Sequence, residues 1–122
     1  MQFEDVTKRI IGCAFEVYNK LGFGFLESVY ERCLLKELQR CGVQAVSQKP
    51  IKVYYQGEIV GDFVADIVVE DQIIVELKSV KRLALAHEMQ LVNYLVATGK
   101  PVGLLLNFIE TRVDVRRKVK DL

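Results

Sequence analysis

The sequence predicts an α/β fold with a central mixed β-sheet flanked by helices. Three segments repeat apolar residues at three- and four-residue steps, which is typical of helices that pack on a core. The segments between and after them are rich in Val and Ile, which favour strands. A helix placed between Lys78 and Val102 is the right-handed crossover that two parallel strands require.

Three helices are predicted from the spacing of their apolar residues. They span about residues 4–20, 26–40 and 83–97, and Gly22 and Gly42 supply stops for the first two. We expect the only histidine, His87, to be a surface or hydrogen-bonded residue rather than a catalytic one. The buried stripe of the third helix is predicted to comprise Leu85, Met89, Val92 and Val96.

Five strands are predicted, at about residues 44–55, 58–69, 73–78, 102–107 and 111–119. The fourth is almost continuously apolar, so it is predicted to lie in the interior of the sheet. The fifth runs into the basic segment 116–120. That segment fits two interpretations equally, a charged edge strand that resists aggregation or a strip that contacts phosphates.

Charged residues interrupt the apolar hairpin of the second and third strands. Asp66 lies in the second strand, and Glu76 and Lys78 lie in the third. A charge inside a strand is costly unless it is paired, bound to a metal or on an open face. Because side chains alternate, Glu76 and Lys78 share a face, about 6.6 Å apart along the chain. A plain salt bridge would give the same pattern. Asp62 has the parity of Asp66 and is a rival carboxylate, expected at a solvated strand end or in a supporting position.

The length of the hairpin loop decides whether Asp66 joins this group. If residues 70–72 form a three-residue loop, Val69 pairs with Ile73 and Asp66 lies opposite Glu76. A two- or four-residue loop would place Asp66 on the other face. We favour the three-residue loop, which gathers two carboxylates and an amine at one place.

Composition narrows the class of protein. A chain of 122 residues is expected to form a single domain, residues 1–122. A net charge of +1 gives no general attraction to nucleic acid, so any such binding must use a local patch. The three cysteines lack metal-binding spacing, which fits a reducing cytoplasm. No apolar run is long enough for a membrane span, so no membrane association is expected.

Four short motifs occur in order along nearly the whole chain. They are Gly24, Glu27 and Tyr30 as GxxExxY, Asp66 followed by Glu76-Leu77-Lys78, Gln90 and Tyr94 as QxxxY, and the segment 103–108. Together they resemble the PD-(D/E)xK nuclease superfamily, and the first and last resemble its small GxxExxY family. Ala65 stands where the proline of the superfamily's name would precede the aspartate.

This resemblance implies a restriction-endonuclease-like core and metal-dependent cleavage of a phosphodiester bond. It places Mg²⁺ or Mn²⁺ on Asp66, Glu76 and the carbonyl of Leu77, and Mg²⁺ prefers such oxygen ligands. Glu27 would bind the ion directly or through water, although acidic side chains also favour helix N-termini for simpler reasons. Lys78 would orient or deprotonate the attacking water, or stabilise the pentavalent phosphate.

Other polar residues complete the predicted site. Gln90 is a catalytic candidate and Tyr94 a substrate-binding one, because they could position the water, Lys78 or a phosphate from the third helix. Lys81 and Arg82 follow the hairpin and are predicted to contact the substrate.

The predicted function is hydrolysis of phosphodiester bonds in DNA, with RNA as the second candidate substrate. No module for reading sequence is visible, so specificity would come from a protein partner or from DNA structure. A core this small is also compatible with a homodimer. The alternative is a non-catalytic module that keeps the nuclease fold and binds nucleic acid or docks on a protein. Binding that persists in Asp66→Ala without turnover would mark that alternative.

Overall fold

The structure, a computed structural model, describes residues 2–120. Every predicted helix and strand is present, and the predicted ends differ from the observed ones by no more than two residues. Among these described residues, no helix is long and apolar enough to cross a membrane. The elements are α1 (Gln2–Leu21), α2 (Glu27–Arg40), β1 (Ala45–Tyr55), β2 (Glu58–Val69), β3 (Ile73–Lys78), α3 (Leu85–Thr98), β4 (Val102–Phe108) and β5 (Val113–Val119).

The five strands form one mixed sheet in the order β1-β2-β3-β4-β5. β3 and β4 are parallel and joined through α3, whereas every other neighbouring pair is antiparallel. β4 lies between two strands and all of its residues are buried, which confirms its predicted interior position. The α/β fold class is confirmed.

Helices cover both faces of the sheet. Ile73, Val75 and Leu77 of β3 pack in the core formed with α1 and α2. Ile74 packs in a second core formed with α3. Because side chains alternate along a strand, Glu76 points with Ile74 towards the α3 face.

The predicted buried stripe of α3 is wrong. The buried residues of this helix are Leu91, Tyr94 and Leu95. Leu91 packs directly on Gly103 of β4, where an added Cβ would lie 2.7 Å from a Leu91 methyl carbon. α3 carries two apolar stripes. Because Gly103 has no side chain, the stripe that contains Leu91 can pack closely against the sheet. The predicted stripe is largely exposed, at Leu85, Met89 and Val96.

The hairpin register agrees with the prediction. Val69 pairs with Ile73, so residues 70–72 form the three-residue loop. The pairing of β2 with β3 is confined to residues 67–69 of β2, and from Ala65 outwards β2 pairs only with β1. We call the part of the β1–β2 hairpin beyond this point, residues 49–65, the outer hairpin. Its separation from β3 opens the sheet beside Asp66.

The backbone of β1 is irregular at the same level. Ser47 pairs with Ile67 and Lys49 with Ala65, so Gln48 lies opposite Asp66 without a ladder partner. Gln48 has a φ of 55°, in the left-handed region that disfavours residues with a Cβ. Strained backbone of this kind is concentrated at functional sites.

The basic segment of β5 is partly neutralised. Arg116 and Lys118 contact the carboxylate of Glu88 on α3, at 3.5 Å and 2.6 Å. At these two positions the structure therefore favours the edge-strand interpretation over the phosphate-contacting one. Arg117 between them is exposed.

Candidate active site

Asp66 and Glu76 meet where β2 leaves β3. The backbone N–H of Asp66 donates a hydrogen bond to Oε2 of Glu76 at 2.9 Å. In return, Oδ2 of Asp66 accepts a hydrogen bond from the backbone N–H of Leu77 at 2.8 Å. The two side chains thus replace main-chain pairing at the point where the strands separate, and they bring both carboxylates to one place.

The carboxyl of Glu76 lies deep in this site, with 6% of the residue exposed. Burial, and then the nearby charge of Asp66, raise the pKa of Glu76 to about 8. Burial also raises the pKa of Asp66, while the Leu77 N–H and the charge of Lys78 act in the opposite direction. Both carboxylates are therefore short of positive charge, although Lys78 supplies part of it.

Lys78 follows Glu76 on the same face, and its charge lowers the pKa of both Asp66 and Glu76. The chain beyond it is held by buried Asn107 of β4. Oδ1 of Asn107 accepts the N–H of Val80 at 3.0 Å, and Nδ2 donates to the carbonyl of Val80 at 2.9 Å. This clamp fixes the exit of β3 and hence the start of the loop that carries Lys81.

The residues of that loop point outwards. Lys81 and Arg82 are both exposed, and neither forms an ion pair among residues 2–120. The structure places them beyond the end of β3, outside the hydrogen-bonded group of Asp66 and Glu76. Their predicted role in contacting substrate remains a prediction.

α2 adds acidic side chains beside the carboxylates. The charge of Glu27 helps to raise the pKa of Asp66. Glu31, one helical turn further on, helps to raise the pKa of Glu76. The sequence analysis missed Glu31, although its i, i+4 spacing from Glu27 was a usable signal. Glu31 is held by Nε2 of Gln48, at 2.9 and 3.0 Å from its two carboxylate oxygens.

Tyr30 explains how the GxxExxY motif fixes the start of α2. Its hydroxyl donates to the carbonyl of Gly22 at 2.6 Å and accepts the N–H of Phe25 at 3.2 Å. Its ring stacks on Phe108, with centroids 4.1 Å apart. The hydroxyl of Ser79 donates to the carbonyl of Phe25 at 3.0 Å, which ties this loop to the end of β3. The motif tyrosine therefore anchors the loop next to Glu27.

The two polar candidates on α3 take different positions. Tyr94 is buried, and its pKa is raised by burial and by the charges of Glu76 and Asp66. Gln90 is exposed, and it forms no hydrogen bond with another described residue. The structure therefore does not bring Gln90 into the hydrogen-bonded group of carboxylates. His87 accepts the N–H of Ala84 at 3.0 Å and caps α3, as expected for a hydrogen-bonded residue.

The donor set fits a hard cation. Oδ1 of Asp66 and Oε1 of Glu76 take no part in the hydrogen bonds described above. Among the described residues, Oγ1 of Thr7 is the only fully buried side-chain oxygen or nitrogen without a hydrogen-bond partner. The two unpaired carboxylate oxygens are therefore not fully buried. Two carboxylates with free oxygens suit Mg²⁺, which keeps several of its waters.

A third side-chain ligand is not assembled. Within residues 2–120, no three His, Cys, Asp or Glu side chains are gathered closely enough to hold a metal ion. Glu27 is therefore not gathered with Asp66 and Glu76 in this arrangement, and its binding to a metal ion, directly or through water, stays a prediction. The carbonyl of Leu77 lies between Glu76 and Lys78 in the chain and is the remaining predicted ligand.

The mixed sheet, the helices on both faces and the two carboxylates at the opened hairpin define an α/β fold of the restriction-endonuclease-like class. A family model described as the PD-(D/E)XK nuclease superfamily matches residues 4–118, and the chain belongs to this superfamily. No curated protein sequence matches the chain significantly.

Two solved structures are similar in fold. One, titled SSO0001, superposes with a TM-score of 0.61 at 18% identity, covering 79% of this chain and 51% of that one. The other is an alkaline exonuclease, LHK-Exo, from Laribacter hongkongensis, with a TM-score of 0.56 at 14% identity, covering 77% of this chain and 55% of that one. This chain corresponds to about half the length of either structure. At these identities the likeness shows the fold.

Proposed function

We propose that this member of the superfamily hydrolyses phosphodiester bonds in DNA with Mg²⁺ or Mn²⁺ as cofactor. One observation carries the proposal. Asp66 and Glu76 are locked together by backbone hydrogen bonds, and each keeps one carboxylate oxygen free at the opening of the sheet. The GxxExxY family is proposed as the subgroup, on the basis of Gly24, Glu27 and the anchoring role of Tyr30.

The residues of β2 and β3 would bind the metal ion and the phosphate. Asp66, Glu76 and the carbonyl of Leu77 would hold the cation, which supplies positive charge to the phosphate and acidity to water. Lys78 lies close enough to lower the pKa of both carboxylates, and its ammonium group can donate hydrogen bonds to a phosphate oxygen or to the attacking water.

The acidic residues of α2 support this centre. Glu27 and Glu31 add negative charge beside Asp66 and Glu76, and this charge favours binding of a cation. Gln48 keeps the carboxylate of Glu31 in place. In this proposal, Glu27 and Glu31 accept hydrogen bonds from the water molecules bound to the ion. We assign Lys81 and Arg82 to the phosphates of the substrate, because they are exposed cations next to the exit of β3.

The test is a cleavage assay with linear, circular and single-stranded DNA, and with RNA, in Mg²⁺, Mn²⁺ or EDTA. Wild-type protein should cleave DNA in the presence of metal and stop in EDTA. Lys78→Met should lower the rate about 10²–10⁴-fold. Glu76→Gln should abolish both cleavage and the heat of Mg²⁺ binding in calorimetry, while circular dichroism shows an intact fold.

Asp62→Asn is the matched control. Asp62 also lies on β2, but its exposed carboxylate pairs with Lys52 at 2.8 Å, away from Glu76. This variant should cleave at the wild-type rate. Cleavage by Glu76→Gln at the wild-type rate would refute the proposal. Wild-type protein that binds DNA but never turns it over would support the non-catalytic alternative instead.

A further inference from the structure

A groove of about 800 Å³ lies between the outer hairpin and α3. Tyr54 and Phe63 form its hairpin side, and Gln90, Asn93 and Tyr94 form its helix side. The ring of Phe63 lies across Gly61, where an added Cβ would come within 2.9 Å of it, and it faces Tyr94 with centroids 5.7 Å apart. The volume is in the range of sites that hold small organic groups.

The chemistry of the groove is aromatic and neutral. No Asp, Glu, Lys or Arg lines it. Tyr54 and Phe63 are 62% and 44% exposed, so part of each side chain is accessible to a ligand. The side-chain amides of Gln90 and Asn93 form no hydrogen bonds with other described residues, and each amide offers both donors and an acceptor. Flat apolar surfaces with free amides at their edge suit a planar heteroaromatic group and do not suit a phosphate.

The groove adjoins the carboxylates through Tyr94. Tyr94 lines it and is close enough to Asp66 and Glu76 for their charges to raise the pKa of its phenol. Phe63 precedes Asp66 by three residues on β2, which is about 10 Å along the strand. A polynucleotide with a phosphate at Asp66 would therefore reach the groove with a neighbouring nucleotide.

We propose that this groove binds unpaired nucleobases, so that the substrate strand is single-stranded where it passes from the carboxylates to Phe63. Stacking on aromatic side chains is the usual way in which proteins hold bases of any sequence. In a duplex the base faces are covered by their neighbours, so the rings of Tyr54 and Phe63 could not reach them. The proposal deepens the nuclease function proposed above, since it specifies the state of the substrate strand at the same site.

The experiment measures binding without metal, so that it does not depend on cleavage. Fluorescence anisotropy in EDTA compares a labelled single-stranded oligonucleotide, its duplex, and a single strand with abasic sites in place of most bases. Deoxyribose and ribose versions run in parallel. Wild-type protein should prefer the intact single strand of at least one sugar type. Phe63→Ala and Tyr54→Ala should each raise its Kd by roughly 5- to 100-fold, and Phe63→Ala should leave the Kd for the abasic strand unchanged.

Tyr55→Ala is the matched control. Tyr55 is an equally exposed tyrosine on the same strand, 66% accessible, and it does not line the groove. Its loss should leave the Kd unchanged. Because the chain contains no tryptophan, Phe63→Trp adds a single reporter whose emission should be quenched by the intact strand and not by the abasic one.

Three results would overturn the proposal. The first is a Kd of Phe63→Ala for the intact single strand equal to that of the wild type. The second is a loss of affinity in Tyr55→Ala as large as that in the groove variants. The third is a change in the sedimentation coefficient of the groove variants, which would show that the groove binds a second copy of the chain. Binding as expected together with absent cleavage would remove the nuclease function and keep the base-binding groove. Cleavage by the wild type, together with an unchanged Kd in the groove variants, would keep the nuclease function and remove the base-binding groove.

Discussion

Asp66 and Glu76 are interlocked through the main chain. Glu76 accepts the N–H of Asp66 at 2.9 Å, and Asp66 accepts the N–H that follows Glu76 at 2.8 Å. Each carboxylate therefore has a structural contact on one oxygen and an open position on the other. Removing either side chain also frees a backbone group of its partner strand, so isosteric amides are better test substitutions than alanine.

The first prediction concerns the pH dependence of stability. The folded-state pKa of Glu76, about 8, exceeds its ordinary value of 4.5, so the folded state holds a proton that the unfolded state has released. Without metal, this group should therefore lower the free energy of unfolding as pH rises from about 4.5 to 8, by at most about 1.4 kcal/mol per pH unit. Urea unfolding in EDTA at several pH values measures this slope.

Glu76→Gln provides the reference for that experiment, because it cannot lose a proton. In EDTA, the free energy of unfolding of the wild type should fall relative to that of Glu76→Gln as pH rises. Millimolar Mg²⁺ should oppose this trend, since a bound cation favours the ionised carboxylate. Identical pH profiles for the two proteins in EDTA would contradict the raised pKa.

Tyr30→Phe tests the anchor of the GxxExxY loop. The variant keeps the stacking on Phe108 but loses the hydrogen bonds with Gly22 and Phe25. We expect a loss of about 1–3 kcal/mol in the free energy of unfolding, because Tyr30 is fully buried and its partners are left unpaired. Tyr18→Phe removes a solvent-exposed hydrogen bond of the same length, 2.6 Å to the carbonyl of Glu110. Its cost should be below about 1 kcal/mol, and equal costs would count against the anchoring role.

Asn107→Ala tests the clamp on the exit of β3. Asn107 is 1% exposed, and both of its bonds go to Val80. Its loss should cost about 2–4 kcal/mol, because two part-buried backbone groups lose their partner. Hydrogen exchange at the amide of Val80 should become faster. Asn19→Ala, at an exposed position of α1, should change stability by less than about 0.5 kcal/mol. Unchanged exchange at Val80 would show that the loop is held by other contacts.

Gln48 allows a test of backbone strain. Gln48→Gly and Gln48→Ala both lose the contact with Glu31, but only glycine adopts a φ of 55° without penalty. The glycine variant should therefore be the more stable of the two, by up to about 1 kcal/mol. At Gln39, an exposed helical position of α2, the same pair should show the opposite order. A more stable alanine variant at position 48 would argue against strain there.

The elements and the central pair of carboxylates were predictable because local rules determine them. Alternating apolar residues define β2 and β3, and the loop of residues 70–72 sets their register. Once Val69 pairs with Ile73, the side chain of Asp66 must approach Glu76. The prediction for this pair used no tertiary contact beyond a single hairpin.

Features that depend on distant contacts were not predictable in the same way. The face of α3 is chosen by Gly103, which lies outside the helix. Gln48 holds Glu31 beside the site from a backbone that leaves ordinary strand geometry, and nothing in the alternation of β1 signals that departure. Gln90 is exposed in this orientation of α3, and its catalytic role stays a prediction.

The separation of β2 from β3 at Asp66 divides the hairpin into two parts with different tolerance for change. Residues 67–69 are buried between two cores, so substitutions there disturb the whole sheet. Most of the outer hairpin is exposed, apart from Ile51 and Ala65, and single substitutions at positions such as Phe63 and Val64 leave the cores intact. The proposed preference for unpaired bases can therefore change by point mutation in the outer hairpin while Asp66, Glu76 and the two cores stay as they are.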